Sequence, residues 1–68
     1  MISYAPLFRT MKEKGLTSYR LGKMGFPMSN YHAMRRGRHI STHTVDMLCA
    51  ILHCDVCDIM EYKADSDV

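Results

Sequence analysis

Positively charged side chains gather in one stretch of this sequence. Between Arg20 and Arg38 the chain has five Lys or Arg residues and no Asp or Glu. The five are Arg20, Lys23, Arg35, Arg36 and Arg38. Guanidinium and ammonium groups bind phosphate through charge-assisted hydrogen bonds, so this basic stretch is typical of a surface that meets a polyanion. A solvated surface of mixed charge is the alternative interpretation.

The separation of charge extends over the whole chain. Residues 1–40 hold eight Lys or Arg and one acid, Glu13, which gives +7. Residues 41–68 hold one Lys, Lys63, and six acids, which gives −5, so the two parts add up to the net charge of +2. Such a division favours one face that binds a polyanion.

Three cysteines offer a different chemistry. Cys54 and Cys57 form a C-x-x-C pair, with Cys49, His53 and His43 near in the sequence. A structural zinc site usually has four ligands in two spaced pairs, and this chain offers one pair. We therefore predict no metal, no cofactor and reduced cysteines, with Cys49 packed in the core. We also predict no enzyme activity and no small-molecule substrate, because nothing in the pattern indicates a catalytic cleft.

The length of the chain bounds both fold and location. Sixty-eight residues make one small domain, and a hydrophobic content of 47% excludes an intrinsically disordered chain. The longest apolar run, Met47–Leu52, has six residues, whereas a span of the bilayer needs about 20. No secretory signal pattern is present. We expect a cytoplasmic protein that has no membrane partner.

Two apolar stripes predict the helices that build the core. The first stripe predicts a helix over residues 5–14, and the second predicts a helix that follows a Ser41 cap. The stripes, each at i, i+3, i+4, i+7, are Tyr4, Leu7, Phe8 and Met11, then Val45, Leu48, Cys49 and Leu52. Asp55 is expected to cap a last turn, with Val56, Ile59 and Met60 packed inward.

Cap and turn residues predict two short helices between these stripes. Thr17 is a good N-cap for a helix over residues 18–24, in which Leu21 and Met24 face the core. Pro27 can open a further helix over residues 28–36. Gly15, Gly25 and Gly37 are placed to end the three helices before Ser41.

We therefore predict an all-α bundle of about five short helices. Alternation of period two is weak everywhere, so strands are not expected. The helical domain spans residues 1–62, and fraying is expected from Glu61 onward. Residues 63–68 form a short acidic tail that we expect to be disordered.

The two central helices and their tight link resemble the lambda-repressor-like (Cro/cI, XRE-type) helix-turn-helix family, above all its small single-domain members from bacteria and phages. The motif residues are Leu21, Met24, Gly25, Phe26, Tyr31 and Met34. Further resemblance lies in Ile2-Ser3-Tyr4, Gly15-Leu16-Thr17, Ile40-Ser41-Thr42, Leu48-Cys49, Leu52-His53-Cys54 and residues 58–62. The chain departs from the family pattern in its turn, where three residues rather than four separate Leu21 from Gly25.

Three further departures lie close to the motif. Gly22 replaces the usual Ala, Ser18 replaces a Gln that contacts phosphate in many members, and Pro27 replaces the usual Ser or Thr cap.

The resemblance implies a transcriptional regulator of the repressor type that binds double-stranded DNA sequence-specifically. It implies base contacts in the major groove by Met28, Ser29, Asn30, His32 and Ala33. It implies phosphate contacts by Ser18, Arg35, Arg36, Arg38, Thr42 and His43. One such domain buries only about 600–1,000 Å² on DNA, so we expect a homodimer on two half-sites, located on the bacterial nucleoid.

Two other functions stay open at this point. An antitoxin-like protein-interaction module would have the same fold and would use the acidic C-terminal half for contact. A small metal or redox sensor would use Cys54 and Cys57.

Overall fold

Four helices account for most of the computed structural model, which describes residues 1–64. They are α1 (Ala5–Glu13), α2 (Ser18–Lys23), α3 (Met28–Arg35) and α4 (Thr42–Leu52). A 3-10 turn over Val56–Asp58 follows α4 in place of a fifth helix, so the predicted count of about five helices is corrected to four in the described residues. The first three helices lie within one residue of their predicted bounds, and α4 begins directly after its predicted Ser41 cap, because the signals that begin and end these helices are local.

Two short strands correct the all-α prediction. β1 (Ile2–Ser3) and β2 (Glu61–Tyr62) pair antiparallel, with Ile2 opposite Tyr62. The pairing continues to Lys63, whose N–H donates to the Met1 carbonyl at 2.8 Å. The fraying expected from Glu61 is therefore wrong for Glu61–Lys63, whereas residues 65–68 of the expected disordered tail lie outside the described residues. A pairing between chain ends leaves no periodic signal in so short a strand.

Predicted caps begin two of the helices. The Thr17 hydroxyl accepts a hydrogen bond from the Arg20 N–H at 3.2 Å, and Ser41 accepts one from the Thr44 N–H at 3.2 Å. These bonds satisfy backbone donors that have no partner within the helix. At α3, Pro27 stands in the cap position and provides no side-chain bond. The start of α3 is therefore set by the fixed φ of proline and by packing.

All four helices end at a residue with left-handed backbone. Gly37 has φ 73° and Gly25 has φ 103°, values that side chains with a Cβ rarely adopt. After each of them, the next N–H reaches back to a carbonyl five residues earlier, as in the bond from Arg38 to Ala33 at 2.9 Å. At the end of α4 the same place is taken by His53, with φ 54°.

The core lies between α1, α2, α4 and the segment that follows the 3-10 turn. Its buried members are Tyr4, Leu7, Met11, Leu21, Phe26, Met34, Leu48, Leu52 and Ile59. Half-buried apolar side chains, Phe8, Tyr31, Cys49 and Met60 among them, pack against this cluster. The Thr10 hydroxyl donates to the Asp58 carbonyl at 2.9 Å, which fixes α1 to the 3-10 turn.

Two residues predicted to face the core do not. Met24 is 44% exposed because α2 ends at Lys23, and Phe26 fills the core position instead. Val56 is 54% exposed because it opens a 3-10 turn, whereas Ile59 and Met60 do pack inward as predicted. Compared with the family pattern, one residue is missing between Leu21 and Gly25. The turn therefore starts one position earlier, which explains why Met24 does not face the core.

Candidate nucleic-acid interface

The inner side of α3 fixes its orientation on the domain. Met34 is 2% exposed, and no other residue of α3 is buried. Tyr31 is half-buried and meets the ring of Phe8 edge-on, with ring centroids 5.9 Å apart. Met34 and Tyr31 both lie on the side of α3 that the sequence predicted to face the core. The opposite side of α3 is therefore free to enter a groove of DNA.

The five predicted base-contacting residues divide into two groups. Ser29 and His32 are exposed, and the imidazole of His32 lies against Tyr31 with ring centroids 5.7 Å apart. Met28, Asn30 and Ala33 are half-buried. Of the five, Ser29 and His32 thus present the most accessible hydrogen-bonding groups.

Met28 is shared between α3 and α2. Its terminal methyl carbon lies 3.3 Å from the position that a Cβ on Gly22 would occupy. An alanine at position 22, which is usual in the family that this sequence resembles, would therefore press on Met28. The replacement by glycine fits a chain in which Met28 packs across α2.

Asn30 joins α3 to the start of α4. Its side-chain Nδ2 donates to the Thr44 hydroxyl at 3.5 Å, and Thr44 in turn bonds the Ser41 hydroxyl at 3.1 Å. The carbonyl oxygen and the second N–H of the Asn30 side chain are left for another partner. Asn30 therefore positions α3 relative to Ser41 as well as offering a contact of its own.

Arg38 has a fixed backbone beside α3. Its N–H donates to the Ala33 carbonyl at 2.9 Å, and its carbonyl accepts from the Tyr4 hydroxyl at 2.8 Å. Its side chain is exposed, as is that of Arg36. Two exposed guanidinium groups on a rigid turn suit contacts with phosphate, which need a charge held in register with the duplex.

Arg35 is placed differently from the other two arginines. Its guanidinium carbon lies 5.3 Å from the centroid of the Phe8 ring, a cation–π contact. Together with Ser18 and Lys12 it lines a cleft between α1, α2 and α3. Arg35 thus forms part of the packing of α1 on α3, and its exposed charge adds to the field around the cleft.

Ser18, Thr42 and His43 lie at helix starts, as the sequence predicted. Ser18 is the first residue of α2 and is half-buried, whereas Thr42 and His43 open α4 and are exposed. Because Thr17 and Ser41 provide the caps, the side chains of Ser18 and Thr42 are not needed for that role. Backbone N–H groups at the start of α4 also point toward an approaching anion.

Tyr19 and Lys23 are candidates that the sequence analysis left out of the contact set. Tyr19 is 69% exposed, and the Lys23 ammonium lies 5.5 Å from the centroid of its ring. They line an open cleft of about 500 Å³ between α2 and α3, together with Ser18, Met28 and His32. The sequence signal that could have identified this pair is its i, i+4 spacing on a short basic helix, which places the two side chains on the same face.

The three cysteines are free thiols that differ in their burial. Cys49 and Cys54 are half-buried, and burial raises the pKa of both thiols, so they stay protonated near neutral pH. Cys57 is exposed, and its Sγ lies within 4.8 Å of carboxylate oxygens of Asp55 and Asp58. Asp58 already accepts a hydrogen bond from the Asp55 N–H at 3.1 Å, so it serves to cap the turn.

Comparison with known protein families gives a match. A family model described as Cro/C1-type HTH DNA-binding domain matches residues 7–65. No curated protein and no solved structure matches the chain. In the described part of the chain, the helices are too short and too polar to cross a bilayer.

Proposed function

The chain belongs to the Cro/C1-type helix-turn-helix DNA-binding family, and from that premise we propose that it binds duplex DNA sequence-specifically and represses transcription. The observation that carries this proposal is the division of α3 into two sides. Met34 holds the inner side in the core, and Ser29 and His32 stand exposed on the outer side. Arg36 and Arg38 follow directly and supply charge for the flanking phosphates.

Base readout in this proposal rests on short polar groups. The Ser29 hydroxyl and the His32 ring nitrogens can hydrogen-bond base edges, and Met28 and Ala33 can touch a thymine methyl. Asn30 contributes through its side-chain carbonyl while its amide nitrogen stays on Thr44. We propose phosphate contacts by Ser18, Arg35, Arg36, Arg38, Thr42 and His43, with Tyr19 and Lys23 added at the edge of the α2–α3 cleft.

The action proposed here is recognition rather than catalysis. We propose that the protein acts as a homodimer on two half-sites, in the cytoplasm and on the nucleoid. One domain covers only about 600–1,000 Å² of DNA, so two linked domains are needed for a useful affinity.

Salt dependence of DNA binding tests this function. Neutralising four to six phosphates per subunit gives a slope of log affinity against log salt of about −4 to −5. The measurement is fluorescence anisotropy on a duplex selected from a random pool. A flat response between low and physiological ionic strength would contradict duplex binding.

Charge variants inside and outside the set of proposed phosphate contacts provide the control. Arg36→Gln with Arg38→Gln should reduce the salt slope by about two, since each removes one phosphate contact. Lys63→Gln removes one exposed charge next to β2 and should leave the slope unchanged. A reduction of the slope by about one for Lys63→Gln, half of that in the double variant, would mean that binding follows net charge and not this surface.

A further inference from the structure

Cys49 and Cys54 are brought together by the way α4 ends. His53 takes the left-handed conformation, and the chain turns back so that the Cys54 N–H donates to the Cys49 carbonyl at 3.2 Å. In this type of helix end the side chains of the two bonded residues frequently pack against each other. Here they are two thiols, and they share a side-chain hydrogen bond. The fold therefore pairs Cys54 with Cys49, although the C-x-x-C spacing in the sequence suggests Cys57.

The two thiols face an open groove along α4. The groove has a volume of about 690 Å³, and both cysteines line it. Each is half-buried, so an ion can reach the sulfur atoms from solvent while the rest of the residue stays packed. The apolar part of the lining consists of Ile2, Tyr4, Ile40, Val45, Val56 and Met60. Apolar surroundings disfavour a strongly hydrated ion, which would lose its water there.

The charge around the thiols favours a cation. Burial is the main cause that raises the pKa of Cys49, and three nearby carboxylates raise it further. They belong to Asp46, Asp55 and Asp58. Lys14 has the opposite effect on Cys54. The negative charges outnumber it, so a positive ion is attracted to the pair and an anion is repelled.

The number and type of ligands limit the kind of ion. A structural zinc site needs four ligands, whereas Cys49 and Cys54 supply two. Soft sulfur ligands select Cu(I), an ion that two thiolates can hold. Disulfide exchange is the other chemistry open to a thiol pair, and it requires a thiolate to attack. Because both thiols stay protonated near neutral pH, exchange is slow here, whereas a bound metal displaces the proton.

We propose that Cys49 and Cys54 form a binding site for Cu(I) at the end of α4. Binding breaks two S–H bonds and forms two Cu–S bonds, and the two protons pass to solvent. The ion keeps its charge of +1, and no group is oxidised or reduced. This site does not depend on the proposed DNA binding.

Competition with a chromogenic Cu(I) chelator, in the absence of oxygen, tests the site. The reduced full chain should take up a single Cu(I) ion. Cys49→Ala and Cys54→Ala should each bind the ion at least about 100-fold more weakly, since loss of even an outer-shell partner can cost that much in metal affinity. Cys57→Ala is the matched control, because Cys57 is exposed and lies outside the groove lining, and it should bind as the wild type does.

Alkylation of the wild type, followed by mass spectrometry, locates the ion without any substitution. With Cu(I) bound, Cys49 and Cys54 should react with iodoacetamide much more slowly than in the metal-free chain. Cys57 should react equally fast in both. A wild type that takes no Cu(I) from the chelator, or protection of Cys57 in place of Cys49, would overturn the proposal. Equal protection by Zn(II) would contradict the assignment to Cu(I).

Discussion

α3 and α4 are neighbours in the chain, and the core holds them to different degrees. α4 buries Thr44, Val45, Leu48 and Leu52, whereas α3 buries Met34 alone. The helix that carries the candidate base-reading residues is thus fixed by one side chain, by half-buried Tyr31, and by the bond from Asn30 to Thr44. A recognition helix held in this way can change its outer residues at little cost to the fold.

The two helices also differ in the sign of their charge. α3 carries Arg35 and leads into Arg36 and Arg38, whereas α4 carries Asp46 and leads toward Asp55 and Asp58. The electrostatic field of the domain therefore attracts a polyanion to the arginines at the end of α3 and repels it from the carboxylates of α4 and the segment after it. Burial and charge together are consistent with the proposal that α3 contacts DNA and that α4 supports it.

Met34→Ala should have the largest effect, because it removes the one buried anchor of α3. Truncation of a buried Met to Ala costs about 2–5 kcal/mol. A small domain has about 5 kcal/mol in total, so this variant should keep at most about 3 kcal/mol of stability and unfold at a much lower temperature than the wild type. The measurement is thermal or urea unfolding followed by circular dichroism.

Leu48→Ala in α4 is the comparison for Met34→Ala. Leu48 is 0% exposed, so its truncation should cost a similar amount. If Met34→Ala kept wild-type stability while Ser29→Ala unfolded the protein, α3 would be rotated from the orientation described here. The shortened turn before Gly25 would then be the first cause to examine.

Exposed residues of α3 should show a smaller effect, on binding rather than on stability. Ser29→Ala and His32→Ala should change the free energy of unfolding by about 0.5 kcal/mol or less. If these side chains read bases, each variant should weaken binding to preferred DNA by about 1–3 kcal/mol and leave random DNA almost unaffected. Paired titrations on the two duplexes provide the measurement.

Arg38→Ala distinguishes phosphate contact from base readout. It should weaken both duplexes alike and lower the salt slope by about one. A loss confined to the preferred duplex would instead make Arg38 a base reader. Equal losses on both duplexes for Ser29→Ala or His32→Ala would remove that residue from the base-contacting set.

Local signals made most of the fold predictable from the sequence. Thr17 and Ser41 act on backbone groups three residues away, and Gly25 and Gly37 end helices through their own φ, so each could be recognised where it stands. The β1–β2 pair could not be, because it joins residues at opposite ends of the chain. The family of the domain was predicted because its motif is a pattern of spacing, which the match over residues 7–65 confirms.

The candidate site was less predictable than the fold. Exposure depends on how neighbouring helices pack, so the sequence could not separate Ser29 and His32 from the half-buried Met28 and Ala33. Nor could it show that Arg35 lies on the Phe8 ring, or that Tyr19 and Lys23 flank the same cleft as His32. The contact roles of all these residues stay predictions.

The smallest expected effect concerns how α3 and α4 end. Both ends use a left-handed residue, Gly37 after α3 and His53 after α4, with φ 73° and 54°. A side chain in this conformation costs about 1–2 kcal/mol, so Gly37→Ala should lose roughly that amount, since no neighbouring atom obstructs the new Cβ. His53→Gly should instead gain about 0.5–1 kcal/mol, because glycine removes the strain but adds freedom to the unfolded chain. Unfolding in urea measures both changes. A gain in stability for Gly37→Ala, or a loss for His53→Gly, would mean that the two helices do not end in the same way.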